Sequence, residues 1–250
     1  MNKKYILNTA NYYTEYFVDD IKRTTIVVSP GGGYLYTSPR ESMPVSNVFN
    51  KLGYHVVVVN YRETKDESYP KTAKYLAYVL SELKKNSKVG YIVGLGFSAG
   101  GHNMLEVALH ENIYNVKLDL LMLGYPVVTT DNRYWHEGSF KNLLHDDFGN
   151  EKLLKRLSLE NEVTSSAPDL FLWGTFTDES VDVMNSLLLM EAYKKNGCNC
   201  EYHCFPMGGH GLSVSNDESS EGNALKKNDY IARWTDFADA WIKNKLKKEF

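Results

Sequence analysis

The strongest constraint on this chain is an alternation: short β-branched and aliphatic runs are separated by longer segments whose apolar residues recur every three or four positions. Runs at 24–29, 55–60, 91–97, 118–124 and 170–174 are almost continuously apolar, as strands buried on both faces must be. A run at 200–205 completes the set. Between them, Ala73, Leu76, Ala77, Leu80 and Leu83 follow Pro70 at helical spacing, and Val181, Met184, Leu187, Leu188 and Ala192 repeat the pattern up to Gly197. Ile231, Trp234, Ala238, Trp241 and Leu246 form a third such face. This repetition builds an α/β fold, a mostly parallel central sheet flanked by helices on both faces. Residues 12–18, aromatic-rich and alternating, read as an antiparallel edge strand ahead of the parallel set.

The rhythm lapses at residues 127–167, where Asp, Asn and His mix with Tyr134, Trp135, Phe140 and Phe148. This reads as a small, partly helical cap insertion in a single domain spanning 1–250. With a formal net charge of −3, the chain has no electrostatic reason to seek nucleic acid or an anionic membrane. A small-molecule or oligosaccharide substrate suits it better. No apolar stretch reaches signal-peptide or membrane-span length, so a cytoplasmic location is expected. Lysines between Lys243 and Lys248 read as a solvated helix end that complements the dipole. Cys198, Cys200 and Cys204 are an odd set without a second ligand pair, so reduced thiols are expected and no metal.

Chemistry enters at Gly96-Phe97-Ser98-Ala99-Gly100, a G-x-S-x-G pentapeptide between a buried strand and a segment able to open a helix. The pentapeptide alone is weak, arising by chance in about one chain in ten of this length. A serine hydroxyl also needs a base, and the base needs a group that fixes its tautomer. His210, in the loop Gly208-Gly209-His210-Gly211 after the last strand, is placed to reach the sheet's C-terminal edge. Of the other histidines, His55 begins a strand, His102 follows the elbow, His110 lies on a helix, His136 and His145 fall in the cap, and His203 is mid-strand. Asp178 follows the 170–174 strand and gives the order Ser, Asp, His. Asp182 competes with it but falls in the first turn of the next helix, and Asp169 precedes the strand. Pro30-Gly31-Gly32-Gly33-Tyr34 directly follows another strand, so the Gly32 and Gly33 amides can join that of Ala99 as an oxyanion hole. The glycine spacing matches neither a dinucleotide fingerprint nor a P-loop.

Together with Tyr61-Arg62, Gly101-His102 and Leu212, these motifs resemble the acetyl-xylan-esterase-like branch of the α/β-hydrolases, related to the hormone-sensitive-lipase-type esterases. The likeness extends through 138–144 and 157–164 of the cap and through 171–175. Gly174 and Asp182 stand where that branch usually has His and Pro. The resemblance implies the α/β-hydrolase fold, no cofactor, and hydrolysis of short-chain esters, acetyl above all, of sugars or xylo-oligosaccharides. Tyr34, Tyr61, Trp135 and Trp173 are expected as substrate-binding aromatic surfaces. Because His210 must be neutral to act as base, activity should fall in acid. Two other readings stay open. One is amide hydrolysis on the same triad, as in arylformamidases or small peptidases; the other is a non-catalytic binding protein on a hydrolase scaffold. The oligomeric state, homodimer included, is not legible.

Overall fold

The computed structural model describes residues 3–8, 11–61 and 69–246. Arg62, Lys247 and Lys248 lie outside them. Among the described residues eight strands form one sheet: β1 Lys3–Ile6, β2 Tyr12–Tyr16, β3 Arg23–Ser29, β4 His55–Asn60, β5 Val89–Phe97, β6 Leu120–Gly124, β7 Leu170–Thr175 and β8 Cys200–Phe205. The helices are α1 Met43–Lys51, α2 Lys71–Lys84, α3 Ser98–Leu109, α4 Glu111–Tyr114, α5 Glu137–Leu144, α6 Glu151–Arg156, α7 Met184–Lys195, α8 Asp217–Ser220, α9 Asp229–Ala232 and α10 Trp234–Leu246.

The strand order is β1-β2-β4-β3-β5-β6-β7-β8, with β3 to β8 parallel and β2 antiparallel to both of its neighbours. The expected edge strand is therefore antiparallel but interior. β1, which carries no apolar signal, covers it through pairs such as Lys3 with Glu15. At the other edge, β8 needs only partial burial, which explains its polar sequence Cys-Glu-Tyr-His-Cys-Phe.

Successive side chains of β3 supply opposite cores. Val27 joins Val57, Leu76, Met104, Leu121 and Leu189 on the face of α2, α3 and α7, whereas Ile26 and Val28 join Phe49, Val93, Trp234 and Trp241 on the face of α1 and α10. Covering both faces forces the continuous apolar runs. The last apolar face is divided between α9 and α10.

The cap region carries α5, α6 and two 3-10 turns, and its Phe140, Leu143, Leu157 and Leu159 belong to the first core. Its polar anchor is Glu106 of α3, which is 1% exposed. The carboxylate accepts from both terminal nitrogens of Arg156 at 2.9 and 3.0 Å and from the Tyr114 hydroxyl at 2.8 Å. Two donors from the cap and one from α4 thus satisfy a buried charge.

Candidate active site

At the end of β5 the chain turns directly into α3, and Ser98 holds the left-handed conformation at φ 52°. The flanking glycines are compulsory for steric reasons. A Cβ at Gly100 would lie 2.1 Å from the Ser29 carbonyl oxygen, and one at Gly96 would lie 2.6 Å from that of Gly100. This tight crossing presents the Ser98 hydroxyl above the sheet's C-terminal edge.

Two loops meet it there. His210 Nε2 lies 2.8 Å from Ser98 Oγ, and His210 Nδ1 lies 2.7 Å from Asp178 Oδ2. The neutral tautomer with its hydrogen on Nδ1 satisfies both bonds, donating to the carboxylate and accepting from the serine. The second oxygen of Asp178 accepts the amides of Ser180 and Val181 at 2.9 and 3.0 Å, so the carboxylate cannot swing. Asp182 lies just ahead of α7, outside the helix whose first turn it was expected to occupy, and accepts the Met184 amide at 2.8 Å. Asp169 sits at the opposite edge of the sheet, paired with Lys245 at 2.6 Å.

The glycine loop after β3 runs against the serine. A Cβ on Gly31 would meet that of Ser98 at 2.8 Å, and one on Gly32 (φ 129°) would meet the Tyr36 carbonyl oxygen at 2.1 Å. The Gly31 amide donates to Glu41 at 2.6 Å. Those of Gly32 and Gly33 donate to no other described residue, and Ala99 lies in the first turn of α3, whose amides have no intrahelical acceptor. The arrangement can therefore attack a carbonyl carbon and receive the oxygen's developing charge.

Three of the four expected aromatic surfaces are turned inward. Tyr34 and Tyr61 are each 1% exposed and Trp173 is fully buried. The Tyr34 hydroxyl lies 2.9 Å from His102 Nδ1, while His102 Nε2 donates to the Leu157 carbonyl at 2.9 Å. Burial depresses the His102 imidazole, so it serves as a neutral bridge between glycine loop, elbow helix and cap. Tyr61 donates to the Pro30 carbonyl at 2.5 Å, and Trp173 stacks on Trp234 at 4.9 Å. These three rings, expected to meet substrate, face inward, Tyr34 and Tyr61 bracing the glycine loop and Trp173 packing in the core. Trp135 is only half-buried, stacked with Phe140 and Phe148 in the cap.

Sequence patterns did not single out His136, which caps α5 with Nδ1 accepting the Ser139 amide at 3.2 Å. The helix rests on the glycine loop, Asn142 donating to the Gly33 carbonyl at 2.8 Å. Burial, then the nearby His210, keep the His136 imidazole below its ordinary range. A histidine three residues ahead of a serine at a helix start was the available signal. A cleft of about 640 Å³ between cap and α7, lined by Thr130, Glu160 and Lys195 among others, does not include the Ser98 site. The cysteines are free thiols, and burial pushes Cys200 up to about 12. Among the described residues, no cluster of three or more metal-ligating side chains is present, and no helix is long and apolar enough to cross a membrane.

The sheet order, the strained serine elbow and the hydrogen-bonded His and Asp loops define an α/β-hydrolase. Residues 42–249 match the prolyl oligopeptidase family, and the chain belongs to it. It is 32% identical over 197 residues to an acetylxylan esterase of Xylanibacter ruminicola, covering 75% of this chain and 40% of that protein. An acetyl ester-xyloside bifunctional hydrolase from Caldicellulosiruptor lactoaceticus matches with a TM-score of 0.80 and 33% identity over 94% of this chain and 88% of that one. A carboxylesterase from Lactobacillus plantarum matches with a TM-score of 0.85 and 27% identity over 98% of each. The chain spans no more than 40% of the length of the curated relatives it matches.

Proposed function

We propose that the chain removes short acyl groups, acetyl above all, from esters of sugars or xylo-oligosaccharides through an acyl-enzyme. Ser98 is the nucleophile, His210 the general base and Asp178 the orienting acid. The observation that carries this reading is the unbroken hydrogen-bonded line from Asp178 through His210 to Ser98. As Ser98 Oγ attacks, Nε2 takes its proton, and the carbonyl oxygen rests on the Gly32, Gly33 and Ala99 amides. His210 then returns the proton to the departing alcohol. In the second half, water loses a proton to His210 and attacks the acyl carbon, releasing the acid and restoring Ser98. The fixed Asp178 carboxylate stabilises the imidazolium formed at each step. Acetyl and sugar specificity is supported by the names of the acetylxylan esterase and the acetyl ester-xyloside hydrolase. Trp135 is the half-buried aromatic proposed to meet the sugar.

Amide cleavage on the same triad is the competing reading, favoured by the peptidase name of the matched family. Assaying acetylated xylo-oligosaccharides, p-nitrophenyl esters of increasing acyl length, N-formylkynurenine and aminoacyl-p-nitroanilides separates the two. Acetates should turn over fastest among the esters. Turnover of an amide alone would overturn the assignment.

A further inference from the structure

We propose that Glu41 is a positioning residue for the hydrolysis proposed above, one carboxylate that holds the oxyanion loop and the histidine loop in register; the inference rests on that reading of the site. Glu41 is 3% exposed, and each of its oxygens takes a donor from a different part of the machinery. Oε2 accepts the Gly31 amide at 2.6 Å, immediately before the Gly32 and Gly33 amides and at a position where a Cβ would lie 2.8 Å from that of Ser98. Oε1 accepts the Tyr125 hydroxyl at 2.6 Å. That hydroxyl in turn accepts the Ser213 amide at 2.9 Å, and the Tyr125 ring stands edge-on to His210, centroids 5.0 Å apart. The adjacent Arg40 repeats the link. Its guanidinium donates to the carbonyls of Gly211 and Ser219, and its own carbonyl accepts from the Ser213 hydroxyl at 2.6 Å.

A mismatch of a few tenths of an ångström between these loops would spoil both proton transfer and oxyanion binding. Glu41 fixes the distance between them because two donors converge on one rigid group. Glutamine has the same shape but a single acceptor oxygen, so in Glu41→Gln either the Gly31 amide or the Tyr125 hydroxyl must face an NH2 group. Tyr125→Phe keeps the ring and removes only the hydroxyl link.

The test compares wild type, E41Q, Y125F and the double variant, each corrected for folded fraction. It uses kcat and KM on p-nitrophenyl acetate, the rate of Ser98 labelling by a fluorophosphonate, and Tm. E41Q should lower kcat about 100-fold with KM changed less than about 2-fold, and should slow labelling by a similar factor. Y125F should lose about 10-fold, and the double variant less than the product of the two. Folded E41Q and Y125F that keep kcat and labelling within about 2-fold of wild type, with only Tm reduced, would overturn the proposal. If E41Q does not fold, Y125F decides by the same criteria. A wild type that turns over no acetate ester would instead refute the ester reading, and the labelling ratio would still judge Glu41.

Discussion

The elbow and the cap bound the same site but are held by different means. Around Ser98 the fit is backbone against backbone, with Gly96 and Gly100 leaving no room for a methyl group. The cap instead hangs on side chains: Arg156 on Glu106, Asn142 on the Gly33 carbonyl, and the Leu157 carbonyl on His102. The first kind of contact fixes a geometry that no single side-chain change can tune. The second can be altered one residue at a time.

On the rigid side, Gly100→Ala should cost about 4 kcal/mol or more because the new methyl group meets the carbonyls of Ser29 and Pro30. Chemical denaturation would measure it, and a loss below about 1 kcal/mol would mean that the elbow yields. Arg156→Ala tests the cap. It should cost about 3 kcal/mol by leaving the buried Glu106 short of its cation. Amide exchange should quicken in α5 and α6 while the β5–α3 junction stays protected; equal loosening of both would erase the distinction. Ser98→Gly should abolish turnover yet gain about 1 kcal/mol, since glycine adopts φ 52° without strain. A less stable variant would show that the elbow stores none.

The smallest effect concerns pH. His102 is about 6.5 when unfolded and lower when folded, so the unfolded chain binds the extra proton first. Its contribution is complete above pH 6.5 and is lost as pH falls through the folded value, with His55 and His136 acting in the same direction. Urea midpoints from pH 8 to 5 should therefore fall, and His102→Asn should flatten the slope. An unchanged slope would remove His102 from the account.

How far the sequence reached follows from what each feature needs. Strands buried on both faces must be apolar throughout, so β3 to β7 were legible, whereas β1 is exposed along its length and left no trace. The placement of Ser98, Asp178 and His210 was readable because an elbow admits only glycine at its flanks and each partner follows a strand end. The aromatics misled because Tyr34, Tyr61 and Trp173 lie close to the site in sequence but face inward, a choice made by packing. Glu41 escaped notice because a buried acid and a solvated one are spelled alike.

On the proposed route the acyl group is carried on Ser98. Rapid quenching of wild type with p-nitrophenyl acetate, followed by peptide mass analysis, should find acetyl on Ser98. Ser98→Ala should stay folded and lose at least about 10⁴-fold in turnover. Undiminished turnover by that variant, with no acylated Ser98 in wild type, would contradict the account.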